Sequence, residues 1–450
     1  MDAHQQAEHT TTILMLPWVG YGHLTAYLEL AKALSRRNFH IYYCSTPVNI
    51  ESIKPKLTIP CSSIQFVELH LPSSDDLPPN LHTTNGLPSH LMPTLHQAFS
   101  AAAPLFEEIL QTLCPHLLIY DSLQPWAPKI ASSLKIPALN FNTSGVSVIA
   151  QALHAIHHPD SKFPLSDFIL HNYWKSTYTT ADGGASEKTR RAREAFLYCL
   201  NSSGNAILIN TFRELEGEYI DYLSLLLNKK VIPIGPLVYE PNQDEDQDEE
   251  YRSIKNWLDK KEPCSTVFVS FGSEYFPSNE EMEEIAPGLE ESGANFIWVV
   301  RFPKLENRNG IIEEGLLERA GERGMVIKEW APQARILRHG SIGGFVSHCG
   351  WNSVMESIIC GVPVIGVPMR VDQPYNAGLV EEAGVGVEAK RDPDGKIQRH
   401  EVSKLIKQVV VEKTRDDVRK KVAQMSEILR RKGDEKIDEM VALISLLPKG

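Results

Sequence analysis

A chain of 450 residues exceeds the usual size of a single hydrophobic core, so two domains are expected. Apolar residues at 42% and charged residues at 23% describe an ordinary globular protein, and a net charge of −12 argues against nucleic acid or an anionic membrane as the main partner. Scattered cysteines without a CxxC pair, no secretory leader in MDAHQQAEHTTT and no segment near the ~18 apolar residues of a membrane span together predict a cytoplasmic protein with reduced thiols.

Short β-rich runs alternate with helical patterns in both halves, the signal for an α/β protein with parallel sheets built from βαβ units. In the first half, strands are predicted at TTILMLP from Thr11, HIYYCST from His40, IQFVELHL from Ile64, HLLIYDS from His116, PALNFNT from Pro137 and AILINT from Ala206. Between the first two, Leu24, Tyr27, Leu28 and Ala31 recur at helical spacing and mark one buried face. TTADGGASEKTRRARE, from Thr179, reads as a loose excursion. PNQDEDQDEE, residues 241–250, reads as a solvated acidic linker with nothing able to join a core. Second-half strands are predicted at TVFVSFGS from Thr266, NFIWVVR from Asn295, GMVIKEW from Gly324, IGGFVSHC from Ile342 and PVIGVP from Pro363. The stretch from Asp416 to Leu447 is helical in pattern and is expected to pack across the domain junction. The chain thus divides into a first domain, 1–240, the linker, 241–250, a second domain, 251–430, and a terminal helix within 431–450.

The first strand runs into Pro17-Trp18-Val19-Gly20-Tyr21-Gly22-His23. Gly20 and Gly22 open like a dinucleotide fingerprint, but Thr25 stands at the third glycine and HIYYCST ends without the acidic residue that would bind a ribose. A nicotinamide-dependent oxidoreductase is therefore disfavoured. What remains is a histidine at a strand-to-helix turn, on the edge where open α/β sheets place their ligands. Taken alone, His23 reads first as a polar helix-cap residue. Asp121, ending HLLIYD at the same edge, changes that reading, because its carboxylate could fix one imidazole tautomer and stabilise the protonated ring. The positive helix start opposes this and should keep the resting ring neutral, as a general base requires.

Ser273, closing VSFGS, could offer a hydroxyl and an N–H to phosphate, although on its own the pattern reads as a plain turn. The DxD pairs Asp244/Asp246, Asp246/Asp248 and Asp392/Asp394 fall in the acidic linker or the turn DPDG, so solvated loops are expected and not a Mg²⁺ site. His154, His157 and His158 have no acidic or cysteine partner at ligand spacing. Residues 330–373 are more informative. There the apolar strand Ile342 to Val346 leads into Ser347, His348, Cys349 and Gly350, after which a helix begins. Its first-turn N–H groups lack partners and sit at the positive end of the macrodipole, an arrangement suited to phosphate.

From Trp330 to Gln373 this run resembles the signature box of plant family-1 UDP-sugar-dependent glycosyltransferases. The likeness extends over nearly the whole chain, through Gly22-His23, the strand end at Asp121, NTFRELE from Asn210, PIGPL from Pro233, WLD at Trp257 and VSFGS. It implies two facing Rossmann-like domains of the GT-B type, with the donor between them. Trp330 would stack on uracil, with Ala331 and Gln333 at base and ribose and Glu356 accepting from the ribose hydroxyls. His348, Asn352, Ser353 and Ser273 would hold the pyrophosphate. Trp351, Asp372 and Gln373 would surround the transferred sugar, with Thr143 reaching it from the first domain. His23 would be the base and Asp121 its partner. Ala26 stands where the family often has Pro, which bears on helix geometry and not on His23.

The resemblance further implies an inverting displacement without metal or cofactor, by a protein expected to act as a monomer. Gln373 and Trp351 match members that use UDP-glucose. GHLTAYLELAKAL, FIWVVRFP and MRVDQPYNAGLVEEAGVGVE resemble branch-forming members, which add sugar to sugar. The expected acceptor is thus a triterpenoid glycoside of the mogroside type or a flavonoid glycoside. A free aglycone hydroxyl, or a UDP-sugar-binding protein without catalysis, is the alternative.

Overall fold

The computed structural model describes residues 11–57, 62–165, 187–239, 249–303, 311–328, 330–432 and 435–446. The first sheet is formed by β1 (Thr12–Leu16), β2 (His40–Ser45), β3 (Ile64–Glu68), β4 (Leu117–Tyr120), β5 (Ala138–Asn142), β6 (Ala206–Ile209) and β7 (Lys230–Pro233). They lie in the order β3-β2-β1-β4-β5-β6-β7, all parallel. The second is formed by β8 (Thr266–Ser270), β9 (Asn295–Val299), β10 (Gly324–Ile327), β11 (Ile342–Ser347), β12 (Val364–Gly366) and β13 (Gly386–Glu388). Their order is β10-β9-β8-β11-β12-β13, again parallel. Both are doubly wound Rossmann-like sheets, as the alternation of strand and helix predicts.

These orders fix where chemistry can sit. A doubly wound sheet opens a crevice where the strand order reverses, at the carboxyl ends. In the first sheet that point lies between β1 and β4, where Leu16 pairs with Tyr120, so His23 and Asp121 leave the sheet side by side. In the second it lies between β8 and β11, where Ser270 pairs with Ser347, so Ser273 and His348 do the same.

Each predicted strand is present. Sequence periodicity misses β7 and β13, each the edge of its sheet. β7, KVIP, buries only Val231 and Ile232 before a proline, and β13 is Gly-Val-Glu, too short for any alternation to register. The helix Tyr21–Ser35 buries Leu24, Tyr27, Leu28 and Ala31 as their spacing requires. The expected loose excursion is corrected in part: the helix Glu187–Ser202 takes up its later half, built from strong helix formers with an Arg190–Glu194 pair one turn apart. Residues 179–186, like residues 241–248 of the acidic run, lie outside the described residues, and the run's last two residues open the helix Glu249–Leu258.

An apolar cluster runs through both halves, packing Val146, Ile149, Ile209 and Phe212 against Trp351, Val354, Met355, Ile358 and Leu379. Two helices end the chain. Asp416–Lys432 adds Val422, Met425 and Leu429 to that cluster and bonds Ser426 Oγ to the Ile359 carbonyl at 2.6 Å. Glu435–Ser445 places Ile437, Met440 and Ile444 in the core of the first sheet, with Arg37–Asp438 and Lys230–Glu439 ion pairs at its rim.

Candidate active site

β1, β4 and β5 each deliver one side chain to a single point. Gly20 precedes the helix in extended conformation, so the chain turns sharply after β1 and His23 falls in the first helical turn. Asp121 follows β4 directly, is 2% exposed, and accepts from His23 Nδ1 at 2.6 Å. Its oxygens also face the N–H groups of Trp18 at 3.4 Å and Leu123 at 3.3 Å, which hold the carboxylate in place. Thr143, just beyond β5, brings its hydroxyl to 3.0 Å from the same Nδ1. The resemblance assigns Thr143 to the sugar, and here its hydroxyl also buttresses the imidazole. With Nδ1 engaged, Nε2 is the nitrogen available to take a proton, and the ring keeps 29% of its surface exposed. Burial lowers the His23 pKa, but the charge and hydrogen bond of Asp121, with Glu274 and Asp372 beyond, outweigh it and the net shift is upward from 6.5. That is opposite to the effect expected of the helix start alone.

His348 follows β11 and is clamped between glycines. A Cβ on Gly272 would stand 2.6 Å from its Nε2, and one on Gly350 2.5 Å, so both positions need to be bare. Burial and the neighbouring Arg370 guanidinium, against a weak opposing approach of the Ser270 backbone, push its pKa down to about 4, so the ring is neutral at pH 7. Its Nδ1 is buried without a hydrogen bond of good geometry. The helix Trp351–Cys360 starts immediately after Gly350 with no side-chain cap, which leaves its first N–H groups for an anion.

At the far end of the box, Trp330 is 41% exposed, with Tyr21 edge-on at 4.6 Å and the Arg301 guanidinium 5.6 Å from its ring. Gln333 lies behind it and donates to Ser353 Oγ at 3.1 Å and Glu356 Oε2 at 2.5 Å, while the Ala331 carbonyl accepts from the Gln333 N–H. Burial raises the Glu356 pKa, against the Gln333 bond and the fields of Lys56 and Arg338. A carboxylate so placed gains most from ligand hydroxyls that donate to it.

Asp372 and Gln373 open the helix Gln373–Glu382. Gln373 Oε1 accepts from the Met369 and Arg370 N–H groups, both at 2.9 Å, which fixes the amide and leaves its NH₂ for a ligand. Asp372 accepts from Asn376 at 2.9 Å; burial raises its pKa, and the field of His23 opposes that rise. Two residues of the box have other duties as well. The Trp351 indole is 4% exposed, abuts Gly145 of the first half and donates Nε1–H to the Asn210 carbonyl at 2.7 Å, so it braces the junction. Asn352 donates to the Gly22 carbonyl at 2.6 Å.

The comparisons with known proteins agree along the chain. A profile described as "Glycosyltransferase, N-terminal domain" matches residues 9–239, and "UDP-glucoronosyl and UDP-glucosyl transferase" matches residues 249–446. A mogroside IIIx synthase of Siraitia grosvenorii is 75% identical over 100% of this chain and 95% of its own length. The chain belongs to the plant family-1 UDP-glycosyltransferases. A β-D-glucosyl crocetin β-1,6-glucosyltransferase of Gardenia jasminoides is 45% identical over 96% of this chain and 98% of its own. In fold, this UDP-glycosyltransferase is similar to Glycyrrhiza uralensis UGT73P12 complexed with glycyrrhetinic acid 3-O-monoglucuronide, with a TM-score of 0.85 at 24% identity over 97% of this chain and 96% of that one. Among the described residues, no helix of the UDP-glycosyltransferase is long and apolar enough to cross a membrane.

Sequence reasoning passes over two carboxylates of the UDP-glycosyltransferase. Glu216 closes NTFRELE, is fully buried, and accepts from the Val146 and Ser147 N–H groups and Thr211 Oγ1, so it caps the helix Val146–His157 that backs Trp351. Glu274, next to Ser273, faces His23 and accepts from Thr84 Oγ1 at 2.6 Å across the junction. Its place immediately after VSFGS is the one sequence signal that could have singled it out.

Proposed function

We propose that this glycosyltransferase moves glucose from UDP-glucose, with inversion, onto a hydroxyl of a sugar already carried by a triterpenoid glycoside. The observation that carries the mechanism is the 2.6 Å contact of His23 Nδ1 with Asp121 at the sheet edge, which engages Nδ1 and leaves Nε2 to act as the base. There Nε2 takes the proton of the acceptor hydroxyl while its oxygen attacks the anomeric carbon from the face opposite UDP. The carbon–oxygen bond to the diphosphate breaks, and its electron pair leaves with UDP. Asp121 stabilises the imidazolium that forms. The growing charge on the diphosphate meets the open N–H groups at the start of the helix Trp351–Cys360, with Ser273, Asn352, Ser353 and neutral His348 around them.

Trp330 stacks on uracil, with the Ala331 backbone alongside. Gln333 and Glu356 take the ribose hydroxyls, and Asp372 with the fixed amide of Gln373 takes the glucose hydroxyls. Trp351 shapes this pocket from behind. Thr143 serves the donor indirectly, by holding His23. The helix start and these side chains supply the diphosphate's electrostatic needs, so the reading includes no metal, and the protein acts in the cytoplasm as a monomer that carries both halves of its site. The acceptor class follows the Siraitia grosvenorii relative, and attack by a sugar hydroxyl follows the Gardenia jasminoides relative, whose name gives a glucosyl acceptor. The test is incubation with UDP-glucose and a panel of triterpenoid and flavonoid aglycones and their glucosides, with product linkages determined. Glucose should appear on existing sugars; transfer confined to aglycone hydroxyls would sink the acceptor reading.

A further inference from the structure

Glu274 stands where no residue of the donor site is needed. It belongs to the second half, one position past Ser273, yet its side chain reaches into the first. A Cβ placed on Gly20 would stand 3.0 Å from its Oε1, so the bare glycine lets this carboxylate approach the turn before His23 closely. Thr84 Oγ1 donates to Oε1 at 2.6 Å, and its neighbour Asn85 accepts from Arg301 Nη2 at 2.8 Å. The segment carrying Thr84 is thereby held over the mouth of the His23 site from two sides. Arg370 anchors the base of Glu274 by donating to its carbonyl at 2.5 Å, but its guanidinium is 3.9 Å from Oε2 and makes no close bond to the carboxylate. Oε2 thus meets a cation only at the outer limit of an ion pair and keeps room for a closer donor, on a side chain that is 37% exposed.

Carboxylates surround His23 on separate sides. Asp121 lies behind the ring and is saturated by N–H donors. Asp372 comes from the second half and is placed for the transferred sugar. Glu274 is the remaining one, on the loop that follows β8 in the second half. A carboxylate accepts hydrogen bonds only, and its two oxygens match the spacing of vicinal hydroxyls on a pyranose. An aglycone of fused rings with a lone hydroxyl has little to offer it, and would shield it from water while supplying no donor beyond Thr84 and the more distant Arg370.

We propose that Glu274 binds the hydroxyls of the acceptor's own sugar beside the one that attacks, and so selects acceptors that are already glycosylated. This rests on the acceptor reading given above. The sugar takes over the bond that Thr84 now makes, and Gly20 keeps the space clear for it.

The experiment compares wild type with Glu274→Gln and Glu274→Ala on a glucoside acceptor and on its free aglycone, with UDP affinity measured by calorimetry. Wild type should favour the glucoside. In Glu274→Gln, kcat/KM for the glucoside should fall about tenfold further than that for the aglycone, the size of one lost charge-assisted hydrogen bond, because any change in the His23 base is shared by both acceptors, while UDP affinity stays within about twofold. Glu274→Ala should lower the ratio further. An equal fall for both acceptors, an unchanged glucoside rate, or a loss of UDP affinity matching the loss of rate would each overturn the proposal. A wild type that shows no preference for glucosides overturns the acceptor reading itself and this proposal with it, whereas a preference that survives both substitutions removes only Glu274.

Discussion

Asn352, the second residue of a helix in one half, donates its amide to the carbonyl of Gly22 in the other at 2.6 Å, one residue before His23. The helix proposed to receive the diphosphate and the turn that carries the proposed base are thus joined by one bond, so a diphosphate at that helix start would be placed relative to the imidazole without a separate adjustment. Asn352→Asp should break the junction twice over, since a carboxylate can neither donate to Gly22 nor tolerate a nearby diphosphate. We expect UDP affinity to weaken by about tenfold or more in calorimetric titration; an unchanged affinity would remove Asn352 from the donor site.

His23→Ala deletes the proposed base and leaves the donor pocket untouched. kcat should drop by about 10²–10⁴-fold while UDP affinity stays within about twofold. Wild-type turnover would sink the mechanism.

The pH dependence has a definite sign. The base must be unprotonated, and the His23 pKa is displaced upward from 6.5, so kcat/KM should rise with pH along a limb whose midpoint lies above 6.5. Burial opposes that displacement, while Asp121, then Glu274 and Asp372, produce it. Asp121→Asn should accordingly move the limb to lower pH and lower the plateau, because the imidazolium is no longer stabilised. A limb that stays in place in the pH–rate profile would show that another group is titrating.

Gln373→His removes the acceptor that ties the Met369 and Arg370 N–H groups together. kcat/KM for UDP-glucose should fall about tenfold, with a smaller change in affinity for UDP, which lacks the sugar. Equal losses for the two ligands would place Gln373 in general packing.

Trp351→Phe keeps an aromatic ring at the junction but leaves the Asn210 carbonyl without its indole donor. The cost should be about 1–3 kcal/mol, seen as a lower Tm and a smaller urea midpoint. No destabilisation would mean that water replaces the indole there.

Much of this was legible before any coordinates. Strands such as TTILMLP and HLLIYDS are continuous apolar runs because parallel sheets are covered on both faces, and that pattern, with the loop residues after it, was enough to bring His23 beside Asp121. Two kinds of information were not legible. β7 and β13 are edge strands whose few residues carry no period, so only their neighbours define them. Thr143, Trp351, Asn352 and Glu274 bond partners some 100 to 330 positions away, and local spacing holds nothing about such distances.

The final helix also has a mechanical meaning. With Ile437, Met440 and Ile444 seated under the first sheet, the two halves are connected twice, once between β7 and the helix Glu249–Leu258 and once between the helices Asp416–Lys432 and Glu435–Ser445. Halves tied by two cords can twist or rock against each other but cannot swing freely. Shortening the C-terminus would therefore loosen β1 and the helix of His23, at the opposite end of the sequence, before it disturbed the proposed nucleotide site, which lies closer along the chain.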